Sequence, residues 1–148
     1  MNSEDLLCLL ADNESLPCRT DLMAYRAGFK VSPLDSLSKE KSVFHQRSIK
    51  YSPSLPPGEI RSLIALGILL LTNPLIREEV VISKDEEIYN SKFRFFSTMN
   101  KVSSLLITKE NIEMYLYDFK VYQIQRLAVE FGVSEEMMYH RLKELKKL

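Results

Sequence analysis

Nine consecutive apolar residues, Leu63 to Leu71, stand inside the stretch "GEIRSLIALGILLLTNP". They constrain the fold more than any other feature of the chain. A membrane span needs roughly 20 apolar residues to cross the hydrocarbon core, and this run is about half as long. It also begins far from Met1, which is followed by the acidic "NSEDLL", so it does not read as a signal peptide. A core element remains, and the flanks decide its type. Pro56-Pro57-Gly58 precedes it, Glu59 falls in the first turn beside the positive end of a helix dipole, and Asn73-Pro74 ends it, because a residue before proline avoids the helical region. Leucine and alanine outnumber β-branched residues. The run predicts a helix over 57–71, apolar nearly all round and therefore buried on all sides.

The remainder of the N-terminal half reads as mixed structure. "SEDLLCLLA" predicts a short amphipathic helix, and "LPCRTDLMAYRAG" a second, with Pro17 at its start and Gly28 past its end. "FKV" enters a strand that Ser32-Pro33 turns out of, "SVFHQRSIKYS" suits one strand or two short ones, and "EVVIS" is a further short strand. The C-terminal half reads as helical. Ile88, Phe95, Met99, Val102 and Leu106 recur at helical spacing across 85–107. Thr108 suits an N-cap for "KENIEMYLY", a helix over about 121–131 ends at Gly132, and Ser134 caps a last one with Glu135 and Glu136 in its first turn. Ala128, Gly132, Val133 and Met138 stand where a helix-turn-helix wants a small residue, a turn glycine and two packing residues. The expected class is α+β: mostly helical, a small N-terminal sheet packed on the buried helix, and a helix-turn-helix-like unit at the C-terminal end. The 148 residues suit a single domain, 1–148.

Charge and chemistry narrow the function. Lys+Arg and Asp+Glu number 20 each, which weighs against a chain built mainly to neutralise phosphates. Cys8 and Cys18, with no secretion signal, point to reduced thiols and a cytoplasmic location. His45 and His140 are the only histidines, so the two imidazoles one turn apart of a zinc-peptidase helix are missing. Cys8, Cys18, His45 and His140 match no zinc spacing, and no glycine-rich phosphate loop is present. No catalytic residue, metal ligand or cofactor is expected.

The order of features resembles the ImmA/IrrE family of small zinc metallopeptidases, which inactivate repressors of mobile elements and stress regulons. "AYRAGFKVSPLDSL" looks like the family's first helix and strand, and "RSIKYSPSLPPGEIRSLIALGILLL" like its strand, loop and active-site helix. "NKVSSLLITKENIEMYLYDFKVYQIQRLAVEFGVSEEMMYHRLKEL" is similar to its later helix and its terminal LAxxFxVSxxxxxxRLxxL pattern. The resemblance spans roughly residues 20–145 and divides the chain into a metallopeptidase-like core, 20–110, and a helix-turn-helix-like part, 111–148. Where the family carries AHELGH, this chain has "IALGILLL": both histidines and the glutamate are absent. The resemblance thus implies a non-catalytic pseudo-peptidase with its former cleft filled or closed. Its expected role is to bind a protein partner, a repressor or other regulator of a phage, prophage or other mobile element, through Glu135, Glu136, Tyr139, His140 and Lys143, with no membrane involved. The alternative is a DNA-binding regulator that uses the same helix pair, with Arg141, Lys143, Lys146 and Lys147 on the phosphates. Two acids at the start of the reading helix, Glu135 and Glu136, count against it.

Overall fold

The computed structural model describes residues 16–148; the helix expected at "SEDLLCLLA", and Cys8 with it, lies outside them. The chain folds as α+β. In order it runs through α1 (Thr20–Arg26), β1 (Lys30–Pro33), β2 (Glu40–His45), β3 (Ser48–Tyr51), α2 (Pro57–Leu71), β4 (Val80–Ser83), α3 (Phe96–Leu106), α4 (Lys109–Glu113), a π-helical turn (Met114–Asp118), α5 (Ile124–Phe131) and α6 (Glu135–Glu144).

The apolar run folds as its flanks require. Pro57 opens α2, Glu59 lies in its first turn, and the helix ends at Leu71, before Asn73-Pro74. Every residue from Ser62 to Leu70 is buried. One side lies on the sheet, whose order is β1-β3-β2-β4. "SVFHQRSIKYS" makes two strands, a hairpin turned at Gln46, whose φ is +55°. β4 pairs antiparallel with β2 on its other edge, while β1 joins β3 in parallel. Phe44 faces Ile49 across the hairpin, both fully buried, and the two side chains meet α2 at Gly67. The other sides of α2 are covered by α1 and α3.

Two helix boundaries differ from expectation. α1 begins at Thr20, three residues after Pro17, and α5 at Ile124 rather than Val121. A larger difference concerns 85–107. Only Phe96–Leu106 is helical, and 85–95 is a chain of turns. Short polar side chains explain this. The Asn90 side-chain oxygen accepts from the Lys92 backbone N–H at 2.8 Å, and tight turns close from the Asn90 N–H to the Glu87 carbonyl and from the Phe93 N–H to the Asn90 carbonyl. Such local bonds offer the backbone an alternative to the helical ladder. Of the residues that suggested the helix, Ile88 is buried and Phe95 partly buried from loop positions, so the apolar spacing reported burial without helix.

Candidate functional site

The C-terminal helix pair is built by caps legible in the sequence. Gly132 ends α5 in the left-handed region at φ +65°, and the Val133 N–H closes back on the Ala128 carbonyl at 3.0 Å. The Ser134 hydroxyl then accepts from the Met137 N–H at 3.0 Å and starts α6. This turn docks on the N-terminus of α2. A Cβ on Gly58 would stand 2.6 Å from the Val133 carbonyl carbon, so only glycine allows that approach. Arg61 donates to the Gly132 carbonyl at 3.3 Å. The Ser62 hydroxyl donates to the Gly58 carbonyl at 3.0 Å and stands 3.8 Å from the Met137 sulfur. Beside this junction, Lys41 on β2 pairs with Glu59 at 2.9 Å, largely shielded from water.

α6 has two faces. Met137, Met138 and Leu142 point into the core, while Glu135, Glu136, Tyr139, His140 and Lys143 are exposed on the outside. The residues expected to meet a partner thus share the solvent side of one helix. The Lys143 ammonium lies 6.0 Å from the centre of the Tyr139 ring, whose edge meets His140 with ring centres 5.6 Å apart. Lys143 makes no salt bridge among the described residues.

The four cations expected in a DNA-binding role are not equivalent. Arg141 is only 7 % exposed. Its Nε donates to the Ile107 carbonyl at 2.8 Å and its Nη1 bonds Glu144, so it ties α6 to the end of α3 instead of facing a phosphate. Lys147 donates to the Tyr117 hydroxyl at 2.8 Å and lies 3.5 Å from Glu113. Lys143 and Lys146 remain exposed.

A cavity of about 260 Å³ opens beside the outer face of α6. It lies between α6, α3 and the loop that carries Ile88 and Tyr89. His140 and Lys143 stand on its rim, which joins it to the expected partner face. The wall made by Ile88 and Tyr89 escaped the sequence reading, because it comes from a loop that the apolar spacing assigned to helix. The Tyr89 hydroxyl is fully enclosed, with Ser62 and Ser134 as its polar neighbours but no hydrogen bond of good geometry to either. Burial pushes its phenol up to about 12, against the pull of the two serines, and the charges of Glu59 and Glu136 add to the rise. A second group was also missed. The π-helical turn and the segment after it leave Tyr117, Phe119 and Tyr122 more than half exposed. The aromatic density of "MYLYDFKVY" was the available signal.

The titratable side chains do not converge. His45 ends β2, exposed, 3.7 Å from Glu79. Cys18 is buried, which pushes its thiol up and away from a reactive thiolate. Among the described residues no three His, Cys, Asp or Glu side chains come together as a metal site would need, and no helix is long and apolar enough to cross a membrane. A search of known protein families gives no match to this chain, and no curated protein is significantly similar to it.

Proposed function

We propose that the chain is a non-catalytic regulator, a degenerate relative of the ImmA/IrrE metallopeptidases, that works in the cytoplasm by binding a protein partner. The partner is a repressor or other regulator of a phage or mobile element, and the contact is the outer face of α6. The observation that carries this reading is the contrast in exposure along the chain. α2, at the position that the resemblance gives to the zinc helix, is buried from Ser62 to Leu70 and holds no metal donor there. α6 offers water a compact group of two acids, an aromatic ring, an imidazole and an unmatched ammonium. Mixed charge around an exposed tyrosine suits a protein surface, where tyrosine is a common energetic anchor. The DNA-binding alternative is weakened by the internal bonds of Arg141 and Lys147 and by the two acids that open α6.

The test uses the full chain, because Leu127, Phe131 and Met138 belong to the core and removing 121–148 would unmake it. The tagged protein and a Tyr139→Ala/Lys143→Glu variant are compared as baits in lysate of the source cell, with and without nuclease. The expected result is one protein captured regardless of nuclease, and lost with the variant at an unchanged unfolding temperature. Recovery that depends on nucleic acid overturns the reading in favour of DNA binding.

A further inference from the structure

We infer that the cavity between α3 and α6 is a binding site for a small apolar carboxylate, a ring or short branched chain that carries one acid group. This goes beyond the partner reading and does not rest on it.

The walls define the apolar end. Ile88, Met99 and Met137 are buried at the base, and the Phe96 and Tyr89 side chains complete it. Two methionines in the lining, one from α3 and one from α6, suit a guest of irregular shape, since the unbranched thioether repacks easily and is polarisable against aromatic rings. At about 260 Å³ the space exceeds the roughly 150 Å³ void that holds benzene and falls just under the range of about 300–1,000 Å³ that houses drug-sized ligands. A ring with a two- or three-carbon tail fits; a lipid chain does not.

The rim defines the polar end. Asn100, His140, Lys143 and Glu144 line the cavity from exposed positions, and Ser103 lines it from a buried one. Glu144 is engaged by Arg141, which is itself anchored to the Ile107 carbonyl. The acid on the rim is therefore matched from inside the protein. Lys143 is not matched: its ammonium rests near the Tyr139 ring without a carboxylate. Asn100 and Ser103 add neutral donors. One unmatched ammonium balances one negative charge. The rim also lies along the last turns of α6, where the negative end of the helix dipole works against any anion, and against a doubly charged phosphate more than a single charge held by Lys143. A monocarboxylate is the anion that this balance admits, and a charge-assisted bond to Lys143 would orient it. His140 and Lys143 also belong to the outer face of α6, so a bound acid would alter the surface that a partner meets.

The full chain, labelled with ¹³C at the methionine methyls, tests this by NMR titration with 3-phenylpropionate and with its neutral counterpart 3-phenylpropan-1-ol. The expected result is a saturable shift of the Met99 and Met137 methyl signals with a Kd on the order of 1 mM or tighter. The Met23 signal, on α1, should stay in place. The alcohol should bind about fivefold or more weakly, as loss of a charge-assisted bond requires. Lys143→Gln, an exposed substitution, should erase the difference between acid and alcohol without changing the spectrum of the free protein. Three results overturn the inference: methyls unmoved by either probe at about 10 mM, an acid that binds no better than the alcohol, or a preference for the acid that survives Lys143→Gln.

Discussion

α2 and α6 touch at Ser62 and Met137, yet they treat water in opposite ways. α2 is covered by the sheet, α1 and α3 together, and its buried stretch from Leu63 onward has no polar side chain to offer. α6 buries one stripe, Met137, Met138, Arg141 and Leu142, and gives the other to solvent. A helix closed on all sides can only support; a helix half open can also recognise. The difference therefore locates function by exclusion. In this chain the central helix holds the molecule together, and helices at its margin carry the side chains open to other molecules.

The sharpest way to break that comparison is to truncate one large side chain in each helix. Leu66 is fully buried in α2, and Leu66→Ala should cost about 2–5 kcal/mol in urea unfolding, from lost transfer energy plus a cavity. Tyr139→Ala on the open side of α6 should stay within about 0.5 kcal/mol. If the two costs are similar, the division into a supporting helix and a recognising helix is wrong.

The junction between the two helices comes next. Gly58→Ala would place a methyl 2.6 Å from the Val133 carbonyl carbon, and neither backbone can yield without shifting α2 or the α5–α6 turn. Overpacking of this kind costs about 1–3 kcal/mol, which outweighs the gain of up to about 1 kcal/mol that alanine brings to a helix. An unchanged denaturation midpoint would show that the turn does not bear on α2.

Arg141 sharpens the contrast inside α6 itself. Arg141→Ala removes the donor to the Ile107 carbonyl and frees Glu144, and should destabilise by about 1–3 kcal/mol. Lys143→Ala, two residues on and exposed, should leave stability unchanged and affect binding alone. Were Arg141→Ala to leave stability intact, the residue would be available for phosphate after all.

These cases also mark what a reader of the sequence could and could not see. The bounds of α2 followed from Pro57 and Asn73-Pro74, and the caps at Thr108, Gly132 and Ser134 all formed, because each depends on a side chain and a backbone group within a few residues. The strands of "SVFHQRSIKYS" and "EVVIS" were legible from their β-branched and aromatic residues. The parallel pairing of β1 with β3 was not, since nothing in either strand names its neighbour. The loop 85–95 was misread because Ile88 and Phe95 fall seven residues apart, in step with the face of α3, while its turns are set by bonds such as that of Asn90 to Lys92. The Ile88–Tyr89 wall of the cavity inherits that miss. Arg141 was expected in solvent, as arginine usually is, and a carbonyl 34 residues away in sequence is what draws it inside.

The smallest effect separates the helices through a group that stands between them. The Tyr89 hydroxyl is enclosed near Ser62 of α2 and Ser134 at the start of α6, without a proper hydrogen bond. Tyr89→Phe removes an unsatisfied polar atom and should be neutral or stabilising by up to about 1 kcal/mol at pH 7. The pH dependence tells more. The phenol keeps its proton in the folded chain up to about 12, against an ordinary value of 10.0. Between those values the unfolded chain has lost the proton while the folded chain retains it, so stability falls as pH rises, starting near the ordinary value and continuing toward the raised one. Other tyrosines and lysines titrate in the same window, and the comparison of wild type with Tyr89→Phe cancels them. The advantage of the variant in urea midpoint should therefore widen steadily above pH 10. A constant difference from pH 7 to 11 would mean that water reaches the hydroxyl, and that the seam between α2 and α6 is open where the packing closes it.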